Sequence, residues 1–126
     1  MAYALGLRSK QNLSGVHPDL CSVVELAIKL TSQDFMVIEG VRNINRQREL
    51  VATGKSKTMN SRHLTGHAVD LCPYPVDWED ADKFIAISVA MKEAAKELDV
   101  SIEWGGDWKN GWDKPHFELS RKDYPA

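Results

Sequence analysis

"SRHLTGHAVDL", residues 61–71, sets two histidines, an aspartate and a glycine against an apolar run that reads as a strand. Side chains alternate faces along a strand, so Ala68, Asp70 and Cys72 share one face while His67, Val69 and Leu71 share the other. Asp70 then stands on a face that Ala68 keeps small, with room for an ion. His63 lies earlier, beyond Gly66, a residue free to take the tight backbone path that folds His63 back toward Asp70. A tight metal site needs a third ligand. His116 in "DKPHFEL" is the candidate, because Pro115 disfavours helix and pushes the chain toward an extended edge.

Outward from this strand, the hydrophobic pattern predicts a mixed α+β domain. Leu20, Val23, Val24, Ala27, Ile28 and Leu30 recur with helical spacing from Pro18 to about Ser32, and Pro18 suits a first helical turn. "FMVIE" at 35–39 reads as a short buried strand. In "NINRQRELVATG", Asn43 can cap a helix and Gly54 can end it. The clearest helix runs over about 80–98, with Phe84, Ile87, Met91, Ala94 and Leu98 along one stripe. "SIEW" and "HFEL" read as the last two strands, separated by the turn-rich "GGDWKNGWDKP". An antiparallel sheet with packed helices is the expected architecture.

The chain has 126 residues, 43% of them hydrophobic and 27% charged, which suits a single globular domain over 1–126 with a real core. A formal charge of -2 without a polybasic tail gives no footprint for nucleic acid or a membrane surface. Cys21 and Cys72 are too few for a disulfide scaffold and fit a reducing compartment. The start "MAYALGLRSK" lacks the charged-then-apolar order of a secretory leader, and no run approaches the roughly 18 apolar residues of a membrane span. The expected place of folding is the cytoplasm.

A catalytic zinc site takes three protein ligands and keeps a fourth position for water. His63, Asp70 and His116 would supply two neutral imidazoles and one carboxylate, leaving net positive charge to polarise a carbonyl and acidify water. Magnesium and calcium prefer oxygen-only shells, so the mixed set favours Zn2+. Asp113, shortly before His116, is placed to take the water's proton. Glu118 is its rival, since alternation puts it on the face of His116, either as base or as the group that holds the imidazole. The bland alternative makes His63 and His116 hydrogen-bonded surface histidines and Asp70 a turn cap.

"SRHLTGHAVDL" resembles the S-x-H-x-x-G-x-A-x-D-L motif of the M15 zinc peptidases, the D-alanyl-D-alanine carboxypeptidase group related in fold to the hedgehog domain. "EGVRNINRQRELVATGKSK" before it, "WGGDWKNGWDKPHFEL" after it and "VHPDL" near the start extend the resemblance over about Val16 to Leu119. Within that group, the chain resembles small bacteriophage endolysins that cut the L-alanyl-D-glutamate bond of peptidoglycan stem peptides. That resemblance implies zinc on His63, Asp70 and His116, Asp113 as general base, and Arg42 facing the developing oxyanion. It also implies a monomer stored in the host cytoplasm that reaches the periplasmic wall after a holin opens the membrane. Asn43 stands where relatives often carry serine, and His67 is an extra histidine inside the motif. Neither departure removes a functional group. Competing implications are a D-alanyl-D-alanine carboxypeptidase, a non-catalytic metal-containing wall-binding module, and a wall-sugar binder using Trp104, Trp108 and Trp112.

Other polar residues have simpler readings. His67 points away from Asp70 and is expected to pack, Cys72 to lie in the core, His17 to open a helix, and Ser61 to cap a turn or meet substrate. Arg42, Arg46, Arg48, Lys55, Lys57 and Arg62 form a basic stretch suited to stem-peptide carboxylates, although most are expected on a solvated helix face. "VDWEDAD" can hold a cation such as calcium or simply begin a helix, where acids are favourable.

Overall fold

The apolar runs become a four-stranded antiparallel sheet in the order β1-β2-β4-β3, with β1 Phe35–Glu39, β2 Ala68–Pro73, β3 Ile102–Trp104 and β4 His116–Leu119. The structure is a computed structural model and describes residues 3–55, 61–108, 111 and 113–125. Four α-helices accompany the sheet: α1 Leu7–Asn12, α2 Pro18–Leu30, α3 Ile44–Ala52 and α4 Ala81–Leu98. The starts of α2, α3 and α4 carry side-chain caps, whereas α1 follows Gly6 without one. His17 accepts from the Asp19 amide at α2, Asn43 from Arg46 at α3, and Asp80 from Asp82 at α4.

Helices α2 and α4 pack together over the sheet. Leu20, Val23, Val24, Ala27, Phe84, Ile87, Met91 and Ala94 join Val69, Leu71, Phe117 and Leu119 in one apolar core. Burying a side chain the size of Ile87 contributes roughly 1.5–3 kcal/mol. Cys72 belongs to this core and Cys21 is likewise a free thiol. The stripe does not extend to the last residue of either helix: Leu30 and Leu98 are 43% and 40% exposed.

Register decides what the sheet can do. Val69 pairs with Phe117, and the next pair along, Asp70 with His116, must present its side chains to the opposite face. Ala68 and Glu118 pair on that same face. A bulge between Val37 and Glu39 brings Glu39 opposite Asp70 as well. One patch therefore gathers Glu39, Asp70, His116 and Glu118.

Helix α1 covers the exposed edge of β1. Ser9 Oγ accepts from the Val37 amide at 3.0 Å, and Asn12 Nδ2 donates to the Val37 carbonyl at 2.8 Å. These bonds occupy backbone groups that would otherwise offer a template for a foreign strand. The chain then passes so close to Gly40 that a Cβ there would lie 1.9 Å from the Asn12 carbonyl oxygen.

Candidate metal centre

Three elements bring three metal-capable side chains together. Asp70 and His116 come from paired positions on β2 and β4. His63 comes from a short 3-10 turn, Arg62–Thr65, that Ser61 caps by accepting from the His63 amide. Gly66 ends this turn in the left-handed conformation at φ 76°, where an L side chain is strained, and a Cβ would also meet the Gly15 carbonyl at 2.7 Å. The turn is fixed against the next loop by a bond from the Arg42 amide to the His63 carbonyl, 2.9 Å. The fold-back expected from the sequence is thus present, and Ser61 takes the capping role.

Donor atoms of His63, Asp70 and His116 all lie within 4.8 Å of one another. Asp70 Oδ1 is 3.2 Å from His63 Nε2 and 3.3 Å from His116 Nδ1. A tetrahedral zinc with arms of about 2.0–2.1 Å has ligand–ligand edges of roughly 3.3 Å, which the two Asp70–imidazole spacings match. The far nitrogens decide the tautomers. His63 Nδ1–H donates to the Gly40 carbonyl at 2.8 Å, and a carbonyl can only accept. His116 Nε2–H donates to Glu118 Oε1 at 2.8 Å. In the neutral form that binds a metal, both imidazoles therefore turn a lone pair toward Asp70. Each ring is held from behind, as metal-binding histidines are.

The surrounding charges sharpen this. His116 is 6% exposed, and burial alone would lower its pKa. Hydrogen bonds to Asp70 and Glu118 outweigh burial and raise it to about 9. Burial would likewise raise Asp70, yet His116 and His63 hold it well below the ordinary carboxylate range. Both shifts describe a place where positive charge is favoured. Arg42 is buried beside it. Its Nε and Nη2 donate to the two oxygens of Glu39 at 2.8 and 2.6 Å, and Nη1 donates to Gln47 Oε1 at 2.9 Å. Nη2 also stands 3.6 Å from Asp70 Oδ2. Asp70 thus offers one oxygen to the imidazoles and the other to Arg42.

Asp113 enters from a tight turn in which its carbonyl accepts from the His116 amide at 3.1 Å. This turn interrupts the pleat, so strand alternation does not apply to Asp113. Burial raises its pKa, and His116, Asp70, His63 and Arg42 all lie near enough to influence it. Gly105 makes room: a Cβ there would sit 2.1 Å from the Asp113 carbonyl oxygen. Trp104 Nε1 donates to the Lys114 carbonyl at 2.6 Å and pins the same turn while its ring packs in the core. Trp108, half-buried, places its ring 5.2 Å from that of His116 and walls the centre on that side.

Several expectations change. Glu118 lies behind His116, bonded to the nitrogen that faces away from Asp70, so it stands where an imidazole is held. Arg62 is buried, not on a solvated helix face, because it finds acceptors inside the fold, and Arg42, expected at the centre, is buried there too. Arg46 keeps the exposed reading and pairs with Glu49 at 3.9 Å. His67 packs against His17, with centroids 5.6 Å apart, away from the centre. In the acidic stretch, Asp80 caps α4 and Asp77 pairs with Lys83 at 3.0 Å, which accounts for both carboxylates without an ion. Trp112 and Lys57 lie outside the described residues. Gln47, fully buried on the guanidinium, is the participant to which sequence reasoning gave no role; it shares a helix face with Ile44 and the buried Leu50, and a glutamine on that apolar face was the signal.

Comparison with known proteins gives a consistent result. A family model described as phage L-alanyl-D-glutamate peptidase matches residues 1–125. An L-alanyl-D-glutamate peptidase of Escherichia phage T5 is 33% identical over 130 residues, taking in 98% of this chain and 94% of that protein. One from Listeria phage A118 is 34% identical over 96 residues, 72% of this chain and 32% of the relative. Among solved structures, the Serratia marcescens L-Ala D-Glu endopeptidase ChiX matches with a TM-score of 0.90 at 50% identity, covering 95% of this chain and 92% of that one.

Proposed function

This chain belongs to the phage L-alanyl-D-glutamate peptidase family, and on that premise we propose that it is a zinc-dependent endopeptidase that cuts the L-alanyl-D-glutamate bond of peptidoglycan stem peptides. The convergence of His63 Nε2, Asp70 Oδ1 and His116 Nδ1 carries this reading. Two imidazoles with one carboxylate suit Zn2+ better than magnesium or calcium. When bound, zinc supplies Lewis acidity toward a carbonyl oxygen and lowers the pKa of water.

The chain's own residues account for the proton and the charge. Asp113 is the general base. Its carboxylate takes a proton from the water that adds to the L-alanyl carbonyl carbon, then delivers it to the departing D-glutamyl nitrogen as the C–N bond breaks. Its raised pKa makes it a stronger acceptor than a surface carboxylate. Arg42, held rigid by Glu39 and Gln47, opposes the negative charge that builds on the carbonyl oxygen. A preorganised guanidinium pays little reorganisation during the reaction.

Residues 1–126 act as one peptidase domain and as a monomer. No helix among the described residues is long and apolar enough to cross a membrane. The same proposal includes storage in the host cytoplasm until a holin gives access to the periplasmic wall, and it rests on the resemblance to phage endolysins. Mass spectrometry of digested muropeptides tests the reading. New N-terminal D-glutamate that disappears with a chelator is expected. Free D-alanine alone would indicate a carboxypeptidase, and no release at all would indicate a non-catalytic wall-binding module.

A further inference from the structure

We propose that Glu118 and Arg62 form a positioning pair behind His116, and that the C-terminal segment 120–125 locks this pair in place; the inference rests on the metal reading of His63, Asp70 and His116. Glu118 Oε1 fixes the ring by accepting from Nε2. Its other oxygen, Oε2, lies 3.9 Å from Arg62 Nε and 3.8 Å from Arg121 Nε. The side chains of Glu118 and Arg62 are 7% and 2% exposed, so each needs the other's charge in a region where water cannot supply it.

Arg62 is held from the far side. Nη2 donates to the Leu119 carbonyl at 3.2 Å and to the Tyr124 carbonyl at 2.6 Å. Among the described residues, Arg62 Nε is buried without a hydrogen-bond acceptor, which leaves Glu118 to compensate it through charge. Tyr124 is tied down in turn. Its amide donates to the Ser120 carbonyl at 2.8 Å, its hydroxyl donates to Asp19 Oδ2 at 2.7 Å, and its ring meets that of His17 edge-on at 5.2 Å. A continuous chain of contacts thus runs from the start of α2 through Tyr124, Arg62 and Glu118 to one imidazole. Arg62 also adjoins His63 in sequence, so the same anchor steadies the turn that carries a second imidazole.

The function of the pair is geometric. Glu118 holds the hydrogen of His116 on Nε2 and leaves the Nδ1 lone pair for a metal. Without that acceptor the ring is free to rotate or to exchange tautomers, and affinity falls with the fraction of time the lone pair points inward. Lysine replaces Arg62 only in part, because one ammonium does not span two carbonyls and a carboxylate in a fixed plane.

The experiment titrates metal-free protein with Zn2+ against a chromophoric chelator, and follows the His116 Nε2–H proton by NMR in the zinc-loaded protein. Glu118→Ala should weaken zinc binding about 10–100-fold and abolish the slowly exchanging Nε2–H signal. Glu118→Gln, which keeps an acceptor oxygen, should preserve the signal and lose less affinity. Arg62→Lys and truncation after Ser120 should fall between, with circular dichroism checking the fold of each. A folded Glu118→Ala protein with wild-type zinc affinity and an unchanged Nε2–H signal would overturn the positioning pair while leaving the zinc reading intact. A wild-type protein that takes up no zinc would overturn the metal reading and this inference together.

Discussion

One methyl group added at Gly105 should misplace Asp113, since its three nearest atoms all belong to Asp113 and none to His63, Asp70 or His116. An ideal Cβ there lies 2.1 Å from the Asp113 carbonyl oxygen and 2.9 Å from the Asp113 Cβ. Comfortable contact between such atoms begins at roughly 3.3–3.5 Å, so the Asp113 backbone has to retreat by more than about 1 Å. Both atoms in the way belong to main chain or Cβ, and no flexible side-chain end is there to yield. The carboxyl group moves with them. Misplacement of about 1 Å costs on the order of 10² in rate, or about 2.7 kcal/mol of transition-state stabilisation. The fold should tolerate the change, since overpacking of this kind costs about 1–3 kcal/mol against a typical stability of about 5–15 kcal/mol. The assay compares release of new amino termini from purified muropeptides by wild type, Gly105→Ala and Gly6→Ala, with bound zinc measured in each. Gly6 has nothing within 4 Å of its added Cβ and serves as the control. A folded, zinc-loaded Gly105→Ala enzyme within about threefold of wild type would refute the claim that Asp113 must be seated closely.

Four further outcomes are expected. Asp113→Asn should keep fold and zinc while losing most hydrolysis, because an amide does not accept the proton, and substantial residual turnover at full zinc loading would reassign the base. Arg42→Ala should lower turnover by about 10²–10³ with zinc retained, and a change confined to KM would move Arg42 to ground-state binding. His116→Ala should lose both metal and activity, as checked by metal analysis of the purified protein; full occupancy would mean the third ligand is misassigned. The hydrogen bond to Asp19, with burial, raises the Tyr124 pKa to about 12, above its ordinary 10. The bond's stabilisation is then fully present below pH 10 and lost as pH rises toward 12, because the unfolded chain ionises first. Denaturation of Tyr124→Phe should show a shallower alkaline decline than wild type, and identical slopes would discount the bond.

What the sequence made legible was whatever rests on local period and chain-neighbour chemistry. β1 spans the expected Phe35–Glu39, Asn43 caps α3, and Gly66 makes the turn that returns His63 to Asp70. Helix α1 was not legible, because "LRSKQN" carries no apolar stripe. It is held by Ser9 and Asn12 bonding to the edge of β1, and such polar contacts leave no period. Arg62 was misread for a related reason. A charge is expected outside unless acceptors meet it, and its acceptors at Leu119 and Tyr124 are distant in sequence. Cross-strand register likewise had to be seen, for it places Asp70 opposite His116 and sends Glu118 behind the ring instead of beside Asp113.

The placement of charge explains why so many ionisable groups share a small volume. Glu39 is matched by Arg42 through two hydrogen bonds, and Glu118 by the His116 Nε2–H and the guanidinium of Arg62. With those pairs closed, Asp70 and Asp113 remain against two imidazoles whose lone pairs point inward. Two carboxylates and two neutral rings carry a charge that one divalent cation balances. The raised pKa of His116 is the mark of that surplus, since hydrogen bonds to Asp70 and Glu118 outweigh burial, whereas Asp113 is raised first by burial and only then by Asp70. The same crowding separates the roles of the two aspartates. In the proposed mechanism Asp70, pulled low by the imidazoles, stays ionised to serve as a ligand, whereas Asp113, raised by burial and then by Asp70, retains the basicity to accept a proton. Two identical side chains would then differ through their environment, which is set by the β2–β4 register and the close approach at Gly105.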